Sequence, residues 1–157
     1  MRRLALLVPV LLIAALTAAC GSDDSGSGDE ATPTPTPAAT PTPFKGLPEG
    51  VEAQSDSPAG VIVSDTPGVL WVVTYGSSSN PAIAREAKAD GQTVTLTVEA
   101  DPNKPATMDY VPTTSSIALP DSVSLTEPVT IELGQWGSVE LADPSTAGSA
   151  VWAQPAE

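Results

Sequence analysis

Val61-Ile62-Val63-Ser64-Asp65-Thr66-Pro67-Gly68-Val69-Leu70-Trp71-Val72-Val73 is the stretch that decides the fold. Two short runs of β-branched and aromatic residues, the composition that suits a pleated and half-buried surface, flank Thr66-Pro67-Gly68. Proline presets φ near about −65°, and glycine accepts positive φ, so the pair fits the two central positions of a type II turn. The runs on either side then fold back on each other as a hairpin. Further along, Val94-Thr95-Leu96-Thr97-Val98 and Val129-Thr130-Ile131-Glu132-Leu133 alternate with a period of two and are bounded by Pro, Gly, Asp or Asn. No stretch of this region holds a 3.6-residue period. Residues 44–157 are therefore expected to form one all-β domain, a small antiparallel β-sandwich or barrel.

Two more hairpins follow from turn chemistry. Asp90-Gly91 is a strong two-residue hairpin signal. It sets Ala87 opposite Val94, Arg85 opposite Leu96 and Ile83 opposite Val98, which places Arg85 on the apolar side in need of a carboxylate, either Asp109 or Glu99. Around Gln135-Trp136-Gly137, a three-residue loop with Gly137 at positive φ pairs Leu133 with Val139 and Ile131 with Leu141, and leaves Gly134 extended. That register sets Glu132 against Glu140, an unfavourable pair unless solvated or bridged by a cation. Solvation is the expectation, because no dense oxygen-ligand loop occurs in the chain.

Working toward the N-terminus, the composition changes at Phe44. Thr32-Pro33-Thr34-Pro35-Thr36-Pro37 and Thr40-Pro41-Thr42-Pro43 form a Thr-Pro repeat. Each proline pushes the preceding threonine to extended geometry, so the repeat reads as a semi-rigid polyproline rod. At ~3.1 Å per residue, Thr32 to Pro43 reaches roughly 37 Å. The rod is a spacer or, since threonine interleaved with proline is the composition of O-glycosylated stalks, a sugar-bearing one. Gly21 to Glu30 is Ser, Gly, Asp and Glu, too polar to collapse.

Residues 1–19 carry a targeting signal. Arg2 and Arg3 precede an uncharged run from Leu4 to Ala19, shorter than the ~20 apolar residues a membrane span needs, and a small-residue site at Thr17-Ala18-Ala19-Cys20 follows. Leu16-Thr17-Ala18-Ala19-Cys20 resembles the lipobox of bacterial lipoproteins, with threonine where leucine is usual three positions before the cysteine. The resemblance implies diacylglycerol on Cys20, the only cysteine in the chain. Each buried methylene is worth ~0.8 kcal/mol, and two acyl chains anchor a protein stably where one does not. The chain is thus expected to be a lipoprotein with residues 20–43 as a lipidated, proline-rich stalk. Residues 44–157 are held outside the cytoplasm on the outer face of the cell membrane.

Composition narrows the chemistry. The chain has no histidine, which excludes Ser-His-Asp triads, Cys-His pairs and histidine-ligated zinc. With Cys20 consumed by lipid, thiol nucleophiles and disulfides are excluded too. No glycine-rich nucleotide loop follows an expected strand. The formal net charge is −13, and once Arg2 and Arg3 leave with the signal only Lys45, Arg85, Lys88 and Lys104 oppose 19 acidic residues. Such a surface repels nucleic acid and anionic headgroups. No cofactor, metal or nucleic-acid partner is expected. The favoured reading is a binding or interaction module of the cell envelope with a protein or cell-wall glycan partner. The alternative is a small hydrolase pairing Ser77, Ser78 or Ser79 with Lys88 or Lys104, or using two carboxylates.

Tyr75-Gly76-Ser77-Ser78-Ser79-Asn80-Pro81, Ala89-Asp90-Gly91-Gln92-Thr93-Val94, Thr107-Met108-Asp109-Tyr110-Val111-Pro112 and Ile117-Ala118-Leu119-Pro120 resemble segments of small exported proteins and lipoproteins of actinobacteria. The resemblance implies compartment and architecture and supplies no active site. In those relatives the serine run ends in Cys-Pro and a second cysteine precedes the Thr-x-Asp-Tyr segment, implying a disulfide between two loops. Here those positions are Asn80 and Ala106, so the bridge is missing from both ends. The candidate binding surface comprises Trp136, placed by the hairpin either at an exposed tip or folded back over the sheet edge, and the loop Ser77, Ser78, Ser79 and Asn80. Trp71, within the longest apolar run, is expected in the core.

Overall fold

The computed structural model describes residues 42–54 and 56–154. The signal, Cys20 and all of the Thr-Pro repeat before Thr42 lie outside them. The described chain folds into nine strands: β1 (Phe44–Lys45), β2 (Ala59–Val63), β3 (Val69–Gly76), β4 (Ile83–Asp90), β5 (Thr93–Glu99), β6 (Val111–Ala118), β7 (Val129–Glu132), β8 (Ser138–Leu141) and β9 (Ala150–Trp152). Two sheets with strand orders β1-β6-β3-β2-β9 and β4-β5-β7-β8 pack together as an all-β sandwich, not a closed barrel. The first sheet is antiparallel throughout. The second is mixed, because β5 and β7 run parallel. A parallel pair needs a long crossover, and here β6 of the opposite sheet supplies it.

The first hairpin forms as its sequence dictates. Val61 pairs with Val72 and Val63 with Leu70. Gly68 sits at φ 73, and the Val69 N–H donates to the Thr66 carbonyl at 3.1 Å, the geometry of a type II turn.

The second hairpin turns one residue later than the Asp90-Gly91 signal implies. Asp90 pairs with Thr93, and Gly91-Gln92 make the loop with Gly91 at φ 59. Glycine at the first central position meets the positive φ that a two-residue hairpin turn requires there, which spares Asp90 that conformation. Gln92 is tied down by tertiary contacts: its Nε2 donates to the Ser124 carbonyl at 3.0 Å, and its Oε1 accepts from the Ser124 N–H at 2.8 Å. Ala87 therefore faces Leu96 and Ala89 faces Val94. Arg85 does not face Leu96. A bulge between Ala84 and Glu86 takes it out of the alternation, and its Nε lies 3.5 Å from Glu99 Oε1 with both side chains about half exposed. A pair so exposed adds little stability.

The third hairpin is also shifted. Ile131 pairs with Val139, Val129 with Leu141 and Glu132 with Ser138. A 3-10 turn at Gly134–Trp136 fills the loop, which is closed by the Leu133 N–H donating to the Gly137 carbonyl at 2.8 Å. This relieves the expected carboxylate conflict: Glu140 faces Thr130, and Glu132 accepts from Thr95 Oγ1 at 2.7 Å. Gly137 has φ 86 and ψ −151, a region open essentially to glycine alone. Gly134 is not extended but sits at φ 61.

Between the sheets, Val61, Val63, Leu70 and Val72 meet Val94, Leu96, Val129, Ile131 and Leu133. Burying each such side chain is worth about 1.5–3 kcal/mol. Trp71 is not part of this core. It alternates with Leu70 and Val72, so it lies half-buried on the outer face of the first sheet beside Ile62 and Val73. On that same face Trp152 lies over Gly60, where an added Cβ would come within 2.3 Å of the indole.

Candidate functional site: an aromatic groove at one end of the sandwich

Antiparallel pairing gathers the starts of β2 and β6 and the end of β9 at one end of the first sheet. The β7–β8 loop joins them there. Together they border a concavity of about 570 Å³ with Tyr110, Trp136, Asp56, Pro58, Gln135 and Gln154 on its walls. A second depression of about 370 Å³ adjoins it, sharing Trp136, Gly137 and Gln154 and continuing to Ser138, Glu140 and Trp152. Both volumes fall in the range of small-ligand sites.

Trp136 settles between its two expected positions. It is half-buried, packed against the core, and still borders both hollows. The two glycines that bracket it, each at positive φ, let the chain make a compact 3-10 turn that folds the indole back. Tyr110 is 58% exposed and stacks on Tyr75 with ring centroids 5.2 Å apart, and Tyr75 in turn lies 6.3 Å from Trp152. Burial, then the neighbouring Tyr75 phenol, pushes the Tyr110 hydroxyl pKa up, so it stays protonated and able to donate.

The serine loop is brought near this groove but not into it. Ser77 Oγ accepts from the Thr107 N–H at 2.8 Å and from the Asn80 N–H at 3.1 Å. Ser79 Oγ donates to the Pro105 carbonyl at 3.2 Å. The Ser78 N–H donates to Asp109 Oδ1 at 3.0 Å, and Thr107 Oγ1 donates to the same oxygen. Asn80 completes the clasp: Nδ2 donates to the carbonyls of Asp101 and Lys104, both at 2.8 Å, and Oδ1 accepts from the Asp101 N–H at 3.0 Å. Hydrogen bonds from Ser78 and then Thr107 hold the Asp109 carboxyl well below the usual carboxylate range. Because Tyr110 follows Asp109 directly, the clasp fixes the backbone that presents Tyr110 to the groove.

Ser79 and Asn80 also border a separate depression of about 420 Å³ with Arg85 and Lys104. Lys88 pairs with Glu86 at 3.3 Å and Lys104 with Asp101 at 3.7 Å. Among the described residues neither lysine hydrogen-bonds Ser77, Ser78 or Ser79, and no three carboxylates converge as a metal site requires.

Sequence reasoning singled out Trp136 and missed Tyr110, Trp152, Asp56 and Gln154. Their convergence depends on which strand ends meet, and nothing local in the sequence signals that. Comparison of the chain with known protein families, curated proteins and solved structures finds no match.

Proposed function

We propose that the β-domain is a binding module of the cell envelope, carried by a lipoprotein anchored through diacylglycerol on Cys20, and that it engages its partner through the groove around Trp136. The observation that carries the reading is the crowding of aromatic side chains at one end. The chain has six aromatic residues, and three of them, Tyr110, Trp136 and Trp152, border two adjoining hollows. Aromatic residues dominate binding energetics because they bring large apolar area at low entropy cost. The likeness to small exported actinobacterial proteins agrees with the compartment. A hydrolase working through the serine loop finds less support, since its hydroxyls are engaged in the clasp.

A photo-reactive phenylalanine analogue at Tyr110, in cells expressing the full chain, tests this reading. A discrete crosslinked product is expected from position 110 and none from position 88 on strand β4. Equal crosslinking from both positions, or none from either, contradicts it.

A further inference from the structure

We infer that the ligand of this groove is an uncharged sugar chain lying across Trp136, with its hydroxyls taken by Asp56, Gln154 and Glu140. The inference rests on the proposed role of the groove as the binding site. A neutral pyranose has an apolar face of C–H groups and a rim of hydroxyls. A site for it therefore needs aromatic planes interleaved with acceptors and amides. The groove has that mixture: Tyr110, Trp136 and Trp152 share its walls with Asp56, Gln154 and Glu140. Carboxylates and side-chain amides supply the acceptor and donor–acceptor pairs that adjacent hydroxyls require.

Charge decides against the other occupants. Among the described residues no Lys or Arg borders either hollow. The four basic residues outside the signal are Lys45 on β1, Arg85 and Lys88 on β4, and Lys104 in the β5–β6 loop. A phosphate-bearing or uronic-acid polymer would bring its charge against Asp56 and Glu140 with nothing to pair it, a cost that favours an uncharged chain. A protein partner would call for a larger apolar anchor pocket than hollows whose walls also carry Asp56, Gln135, Gln154 and Glu140. The two adjoining hollows make the site elongated, with Trp136 between them, the shape a linear oligosaccharide fills.

The test is titration of the purified full-length lipoprotein in detergent, followed by intrinsic tryptophan fluorescence. The probes are hexamers of β-1,4-linked N-acetylglucosamine, β-1,4-linked glucose and α-linked mannose, a hexa-galacturonate of the same length, and deca-lysine. Saturable binding of at least one neutral hexamer with a Kd of about 1 mM or tighter is expected. It should weaken about 10-fold or more in Trp136→Ala, and also in Tyr110→Ala, whose exposed ring can be removed without opening the core. Met108→Ala, a fully exposed control, leaves it unchanged. Preference for hexa-galacturonate or deca-lysine overturns the inference, as does neutral binding that Tyr110→Ala and Trp136→Ala leave intact. If no sugar binds while the Tyr110 crosslink still forms, the sugar inference falls and the binding-module reading stands. If both fail, both fall.

Discussion

Gly137 and Gly134 hold Trp136 in place, and they do so through different backbone conformations. At φ 86 and ψ −151, Gly137 occupies a region closed to side chains. Gly137→Val should therefore destabilise the domain by about 1–3 kcal/mol. Gly134 at φ 61 is in left-handed territory, where alanine costs about 1–2 kcal/mol. Equilibrium denaturation should place Gly137→Val below Gly134→Ala, and both below wild type. Tyr75 offers the opposite case. Its hydroxyl is buried with no hydrogen-bond partner among the described residues. Losing an unsatisfied hydroxyl removes a desolvation penalty, so Tyr75→Phe should be neutral or stabilising by up to about 1 kcal/mol. A loss of stability in Tyr75→Phe would mean that the phenol oxygen is bonded after all.

At the scale of elements, a clasp of hydrogen bonds ties the serine loop to residues 101–109. Asn80 is buried and its side chain makes three hydrogen bonds. Asn80→Ala leaves the Lys104 carbonyl and the Asp101 N–H without these partners, while the Asp101 carbonyl keeps the Lys104 N–H at 3.1 Å, and should cost about 1–3 kcal/mol. The same loops give the fold its acid response. Asp109 is held well below its ordinary value by Ser78 and Thr107, and Asp101 is lowered chiefly by the Asn103 N–H. At the far end of the sandwich, Asp143 is lowered to about 2 by Ser145 and Thr146. Depressed carboxyls stabilise the folded state fully above the unfolded pKa of about 3.9 and lose that contribution as pH falls toward the folded value. The midpoint of thermal unfolding should thus be level from neutral pH to about 5 and decline below about 4. In Asp109→Asn the midpoint should start lower at neutral pH, with the gap to wild type closing as the medium is acidified.

Much of this was legible in the sequence at the level of elements. The strands at 61–63, 69–73, 94–98 and 129–132 follow from alternation and β-branching, and Pro67-Gly68 set the first turn. The other two registers were not legible, because each is set by tertiary contact. Gln92 is drawn onto Ser124, which moves the second turn along by one residue. In the third, Leu133 is buried completely beyond the end of β7, and Glu132 is bonded to Thr95 on the neighbouring strand β5. Trp71 was misplaced because an apolar run looks the same whether one or both faces are covered. In this sheet the outer face is covered locally by aromatics such as Trp152 over Gly60. Of the candidate site, Trp136 was visible as an aromatic at a turn, while its companions come from three distant segments.

At the scale of the whole molecule, the proposed lipid anchor on Cys20 is open to a direct test. Cys20→Ala should release the protein from the membrane fraction after carbonate washing and leave its thermal midpoint unchanged. Continued firm attachment of the variant would place the anchor elsewhere. Because Cys20 is the only cysteine, an introduced cysteine is the sole free thiol of the lipidated protein. The central claim, an extracytoplasmic domain that binds through the Trp136 groove, is therefore tested most directly by labelling Gln135→Cys and Lys88→Cys with a small membrane-impermeant maleimide. Lys88→Cys should label readily on intact cells while Gln135→Cys is protected, and both should label alike once the protein is purified. Equal labelling of the two on intact cells would contradict an occupied groove, and labelling of Lys88→Cys only after lysis would contradict the location.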